Sequence, residues 1–161
     1  MNKIEYEPIG KIFSPFKEAV GTPIQPPAAE GVEGKIELYS EYEEGLKDVD
    51  GFSHLILLYH FHKAKKAQLT ASPFMEDKEH GIFAIRAPSR PNPIGLSIVR
   101  LIQVEKNILH IKDVDVLDGT PLLDIKPYVA EFDRKENVNS GWLEKRINKL
   151  SEKKDDGRFA Q

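Results

Sequence analysis

Residues 54–61, His-Leu-Ile-Leu-Leu-Tyr-His-Phe, form an apolar run rich in β-formers. It is far too short to span a bilayer and too continuous for one face to meet water, so it predicts a central strand covered on both faces. The neighbouring segments have the same character. Ile9–Phe13 is stopped by Ser14-Pro15, Lys35–Tyr39 alternates polar with apolar, and Gly81–Ile85 and Ile98–Val104 continue the series. Lys106-Asn107 joins Ile98–Val104 to Ile108–Ile111 as a hairpin, and a last short strand, Val114–Leu117, runs into the turn signal Asp118-Gly119. Strands this regular with little helix between them predict a mainly β fold, an antiparallel barrel or sandwich with short helices.

Three segments interrupt the pattern. The prolines of 21–27 lock φ and remove donors, which predicts an extended surface loop. Ser40-Glu41-Tyr42-Glu43 has capping-box spacing and predicts a short helix through Leu46, and residues 63–79 read as a polar excursion. Beyond about Glu131 the spacing of Leu143, Ile147 and Leu150 is helical, and the charged run 151–161 predicts a frayed end. The expected division is a barrel domain over 1–135 and a C-terminal helical, charged extension over 136–161.

With 161 residues, 40% hydrophobic and 30% charged, the chain can bury one core. It has no cysteine, which removes disulfides, thiolate metal sites and cysteine nucleophiles and fits a reducing cytoplasm. Nothing at Met1–Tyr6 resembles a secretory signal, and no membrane association is expected. A net charge of −3 is not that of a general nucleic-acid binder, so polyanion contact would need a local patch. There is no Walker A motif, no G-x-S-x-G elbow, no H-E-x-x-H and no G-x-G-x-x-G after a first strand, so any nucleotide-like cofactor sits on a fold other than a Rossmann sheet.

Two segments concentrate chemistry. In Arg86-Ala87-Pro88-Ser89-Arg90-Pro91-Asn92-Pro93-Ile94-Gly95-Leu96-Ser97, three prolines within six residues stiffen a loop flanked by two arginines suited to carboxylate or phosphate. Gly95 admits a close approach or a positive φ. Physics alone leaves an anion-holding loop and a rigid turn with solvated arginines equally open. In Asp113–Tyr128, Asp115 and Asp118 stand at a strand end and turn, where cofactor contacts often project, although Asp118-Gly119 is also ordinary turn chemistry. The four aspartates there lack EF-hand spacing, and His60 and His62 share a strand face without a third ligand, so no metal site is expected.

Phe52-Ser53-His54-Leu55, Gly81–Arg86, Arg90-Pro91-Asn92-Pro93-Ile94-Gly95-Leu96-Ser97 and Asp118-Gly119-Thr120-Pro121-Leu122-Leu123-Asp124-Ile125-Lys126-Pro127-Tyr128 occur in this order in a chain that resembles the TsaA-like (TrmO-type) β-barrel tRNA methyltransferases over roughly Ile4–Phe132. The resemblance implies a single closed or partly open antiparallel β-barrel, S-adenosyl-L-methionine as cofactor, tRNA as partner, a homodimer, and methylation of N6 of N6-threonylcarbamoyladenosine next to the anticodon. It implies cofactor contacts at Pro26, Pro27, Ala28, His62, Lys63, Arg86, Leu96, Asp115, Val116, Leu117 and Asp118. Asp118 is the expected base, and Arg90, Lys126 and Tyr128 are the expected substrate contacts. The alternatives are the same chemistry on another nucleoside or small metabolite, and a non-catalytic S-adenosylmethionine-binding sensor.

Overall fold

The computed structural model describes residues 1–24, 26–147 and 154–160. Six strands close an antiparallel barrel: β1 (Gly10–Phe13), β2 (Glu33–Leu38), β3 (His54–His60), β6 (Ile94–Glu105), β7 (Ile108–Lys112) and β8 (Thr120–Pro127). Their order around the barrel is β1-β2-β7-β6-β3-β8, with β8 returning to β1. Two short strands, β4 (Thr70–Ala71) and β5 (His80–Gly81), pair outside it. The two-residue side-chain period turns Leu55, Leu57 and Tyr59 of β3 inward, where they are buried with Ile12, Ile36, Val99, Leu109, Ile111 and Leu122. His60 is exposed, and His54, Ile56 and Leu58 face outward only half buried. The expectation of two equally covered faces is thus corrected: closure supplies a core on one side only.

β6 is longer than expected and begins at Ile94, so the second half of the arginine-proline motif is strand, not loop. Gly95 has no positive φ. It stands opposite Tyr59 in the β3–β6 ladder, and a Cβ there would run into the Tyr59 and Phe61 rings. Its glycine serves an aromatic packed across the strand pair.

Four further expectations change. Residues 81–85 form only the two-residue β5 and a 3₁₀ turn, Ile82–Ala84, because Ile82 and Ile85 both pack into one cluster. A strand would have placed them on opposite faces. Val114–Leu117 is not a strand: Asp113 adopts φ 67° and turns the chain out of β7, and Val114 and Val116 plug the core. β8 falls instead on the Asp118–Tyr128 motif, where Pro121 near its start and Pro127 at its end are tolerated at strand margins. The proline-rich loop closes into a 3₁₀ turn over Pro26–Ala29, since proline is compatible with a first helical turn.

Residues 40–46 are helical as expected but 3₁₀, and the capping-box bond does not form. Of the expected C-terminal helix, Gly141–Leu143 is a single 3₁₀ turn and Leu150 lies outside the described residues. The end is not frayed over 154–160: Phe159 is 4% exposed and completes a second apolar cluster with Ala71, Ile82, Ile85 and Ala87, flanked by Phe74 and Trp142. None of these residues belongs to the barrel core.

Candidate functional site at the barrel mouth

β3 and β6 deliver Tyr59 and Ser97 to one end of the barrel, and the irregular chain after Asp113 lays Asp115 across it. Ser97 Oγ donates to Asp115 Oδ1 at 2.6 Å and lies 2.9 Å from the Tyr59 hydroxyl, which makes a buried chain of three polar side chains. Burial dominates the electrostatics. It pushes the Asp115 carboxyl up to about 7 against the pull of the Ser97 hydrogen bond, and it raises the Tyr59 phenol well above its ordinary value. A carboxyl buried in this way gains from any cation brought beside it.

This end opens into a cavity of about 1440 Å³. Cavities holding one drug-sized molecule run to roughly 1,000 Å³, so there is room for two ligands side by side. Of the expected site residues, it gathers Pro27, His62, Lys63, Arg86, Arg90, Leu96, Asp115, Val116 and Leu117. Pro26 opens the 3₁₀ turn beside it, while Ala28, Asp118, Lys126 and Tyr128 do not line it.

Asp118 lies outside the cavity lining. Its Oδ2 lies 2.6 Å from Lys17 Nζ and its Oδ1 accepts the Ser14 amide at 3.0 Å, facing a shallow recess on the other side of the chain. The hydrogen bond and charge of Lys17 hold its carboxyl below the usual carboxylate range. A carboxylate held ionised and turned away is a poor base for chemistry in the cavity. Lys126 pairs with Asp124 at 2.8 Å, and Tyr128 sets its ring edge-on to His54. Arg90 donates from Nη1 to the carbonyls of Ile85 at 3.0 Å and Ala87 at 3.5 Å, bracing the loop that carries it. His62 is held below the ordinary imidazole value, first by burial and then by Lys63 and His60, so its ring is neutral. Among the described residues no group of three or more His, Cys, Asp or Glu side chains could hold a metal ion.

One part of the site had no sequence signal. Arg100 donates from Nε to Asp113 Oδ2 at 2.7 Å and from Nη2 to Oδ1 at 3.1 Å, and Oδ1 also takes the Gly31 amide at 2.7 Å. This fork fastens the proline loop to the barrel rim, and both residues line the cavity.

The comparisons with known proteins converge on one family. A sequence model described as the tRNA-methyltransferase O N-terminal domain matches residues 11–134. A protein of Pyrococcus abyssi named "Probable S-adenosyl-L-methionine-binding protein" is 60% identical over 96% of this chain and 84% of its own length. The mouse tRNA (adenine(37)-N6)-methyltransferase is 36% identical over 83% of this chain, which spans only 32% of that enzyme. The crystal structure of TrmO from Pseudomonas aeruginosa superposes with a TM-score of 0.74 at 38% identity, covering 88% of this chain and 63% of that one. A six-stranded antiparallel barrel carrying the arginine-proline loop and the Asp115 terminus at one mouth therefore belongs to the tRNA-methyltransferase O family.

Proposed function

We propose that the protein is an S-adenosylmethionine-dependent methyltransferase that acts on tRNA, at N6 of N6-threonylcarbamoyladenosine next to the anticodon. The observation that carries this is the cavity itself, large enough for donor and acceptor together and lined by both a buried carboxylate and a stiff arginine-bearing loop. The residues suit the donor: Asp115 answers its positive charge, Arg86 its carboxylate, and Leu96, Val116 and Leu117 its apolar parts. When bound, S-adenosylmethionine supplies an activated methyl group. The chain's own work is to hold the acceptor nitrogen in line, exclude water and take one proton. His62, neutral and inside the cavity, is the base in this scheme in place of Asp118. Arg90 stiffens the loop and offers its remaining N–H groups to acceptor anions, and Lys126 and Tyr128 lie on the outer surface available to the RNA backbone.

The same scheme puts the protein in the cytoplasm as a homodimer. No helix among the described residues is long and apolar enough to cross a membrane. Ile56 and Leu58, half-buried on the outer face of β3 and away from the cavity lining, supply apolar surface suited to a second copy.

Nucleoside mass spectrometry after incubation with donor and total tRNA, with and without the threonylcarbamoyl group, tests the proposal. Methylated threonylcarbamoyladenosine formed only from modified tRNA is the expected result. Label in unmodified tRNA would replace the acceptor, and donor binding without transfer would make the protein a sensor. Asp118→Asn is expected to leave donor affinity within about twofold and to lower stability by about 1 kcal/mol or less, as for an ion pair whose lysine is mostly exposed. Because the folded carboxyl is depressed, that contribution is present above about pH 4 and is lost as pH falls through the folded value. Calorimetry and denaturant melts read the two effects, and loss of transfer with affinity retained would restore Asp118 as the base.

A further inference from the structure

The segment 154–160 lies beyond the region matched by the family's domain, yet it stitches together four segments that line the cavity. At one end the Gly21 amide donates to the Asp155 carbonyl at 2.6 Å and the Asp155 amide to the Thr22 carbonyl at 2.8 Å. At the other, the Phe159 carbonyl accepts the Lys65 amide at 2.9 Å and the Ser89 hydroxyl at 3.2 Å. Between them Arg158 donates to the carbonyls of Ser72 and Pro73 at 3.2 and 3.1 Å. The Phe159 ring meets Phe74 edge-on at 5.3 Å.

The consequence for the site lies in the alternation at 85–87. Ile85 and Ala87 are buried in the cluster that Phe159 completes, Arg86 between them is exposed, and all four border the cavity. Remove the aromatic ring and part of the surface against which Ile85 and Ala87 are seated goes with it, which loosens the backbone that carries Arg86. Building on donor binding in the cavity, we propose that residues 154–160 are a strap whose docking is coupled to donor binding, with Phe159 as a positioning residue for Arg86.

The coupling must be reciprocal: if docking of the strap raises donor affinity, donor must stabilise the docked strap. The test uses the full chain with S-adenosylhomocysteine as probe, read by calorimetry and by hydrogen exchange over 154–160. Phe159→Ala is expected to weaken binding about tenfold or more, in proportion to the fraction of molecules with the strap undocked. Phe159→Leu should return affinity to within about threefold, because a volume-similar apolar side chain refills the cluster. In the wild-type protein the probe should slow exchange at 154–160. The barrel core shares no residue with the strap cluster, so circular dichroism should show both variants folded. No binding to the wild-type protein would overturn the donor assignment. Normal binding to Phe159→Ala, or wild-type binding that leaves exchange at 154–160 unchanged, would overturn the strap while leaving that assignment standing.

Discussion

Asp115→Asn is expected to weaken donor binding at pH 8 by about tenfold or more, the scale of a lost hydrogen bond or ion pair to a charged group, and to flatten its pH dependence. The Asp115 carboxyl is 8% exposed and sits at about 7, so it is mostly protonated at pH 6 and mostly ionised at pH 8. A cationic ligand binds the ionised form, whose share rises from about one tenth to about nine tenths over that interval, so wild-type affinity should climb about tenfold. Stability of the ligand-free protein should move the other way. A carboxyl raised above its unfolded value near 3.9 contributes stability fully below that value, and the contribution is lost as pH rises through about 7. Calorimetry and melts at pH 6, 7 and 8 on wild type and variant measure both trends. A variant that retains the wild-type pH dependence of affinity would place the cation elsewhere.

Gly95→Val is expected to be among the most destabilising single substitutions in the chain. Even a methyl group at this position would run into the Tyr59 ring and come within 2.8 Å of Phe61, and both rings are already packed edge-on at 5.5 Å. Overpacking of a close-packed site costs about 1–3 kcal/mol, and displacing the Tyr59 hydroxyl from Ser97 adds about 1 kcal/mol. For a chain of this length, a total near 3 kcal/mol corresponds to a drop in Tm of roughly 6–12 °C. The physical cause predicts its own remedy. Tyr59→Ala, destabilising alone, should be partly compensated in the double variant, giving a coupling energy above about 1 kcal/mol in the cycle. Additive effects would mean that the glycine is needed for some other reason.

Much of the barrel was legible because β1, β2, β3, β6 and β7 show alternation or β-rich apolar runs that a packed sheet requires. β8 was not, because Pro121 and Pro127 look like strand breakers until their marginal positions in the ladder are known. The motifs pointed to stretches that line the cavity but not to side-chain directions. Asp115 and Asp118 stand three residues apart in the irregular chain between β7 and β8, and only the folded path shows the first buried at the cavity and the second tied to Lys17. The Arg100–Asp113–Gly31 fork joins residues distant in sequence and has no pattern to read. The charge of the run 151–161 reads as a frayed end, and the packing of Phe159 shows only in the fold.

Donor is expected to bind between the arginine-bearing loop and the chain around Asp115. Hydrogen exchange with and without S-adenosylmethionine tests it most directly. The account predicts slowed exchange concentrated in 84–97 and 113–117, with little change around Ser14, Lys17 and Asp118. Protection centred on that second recess, or absent from both cavity-lining segments despite measurable binding, would contradict it.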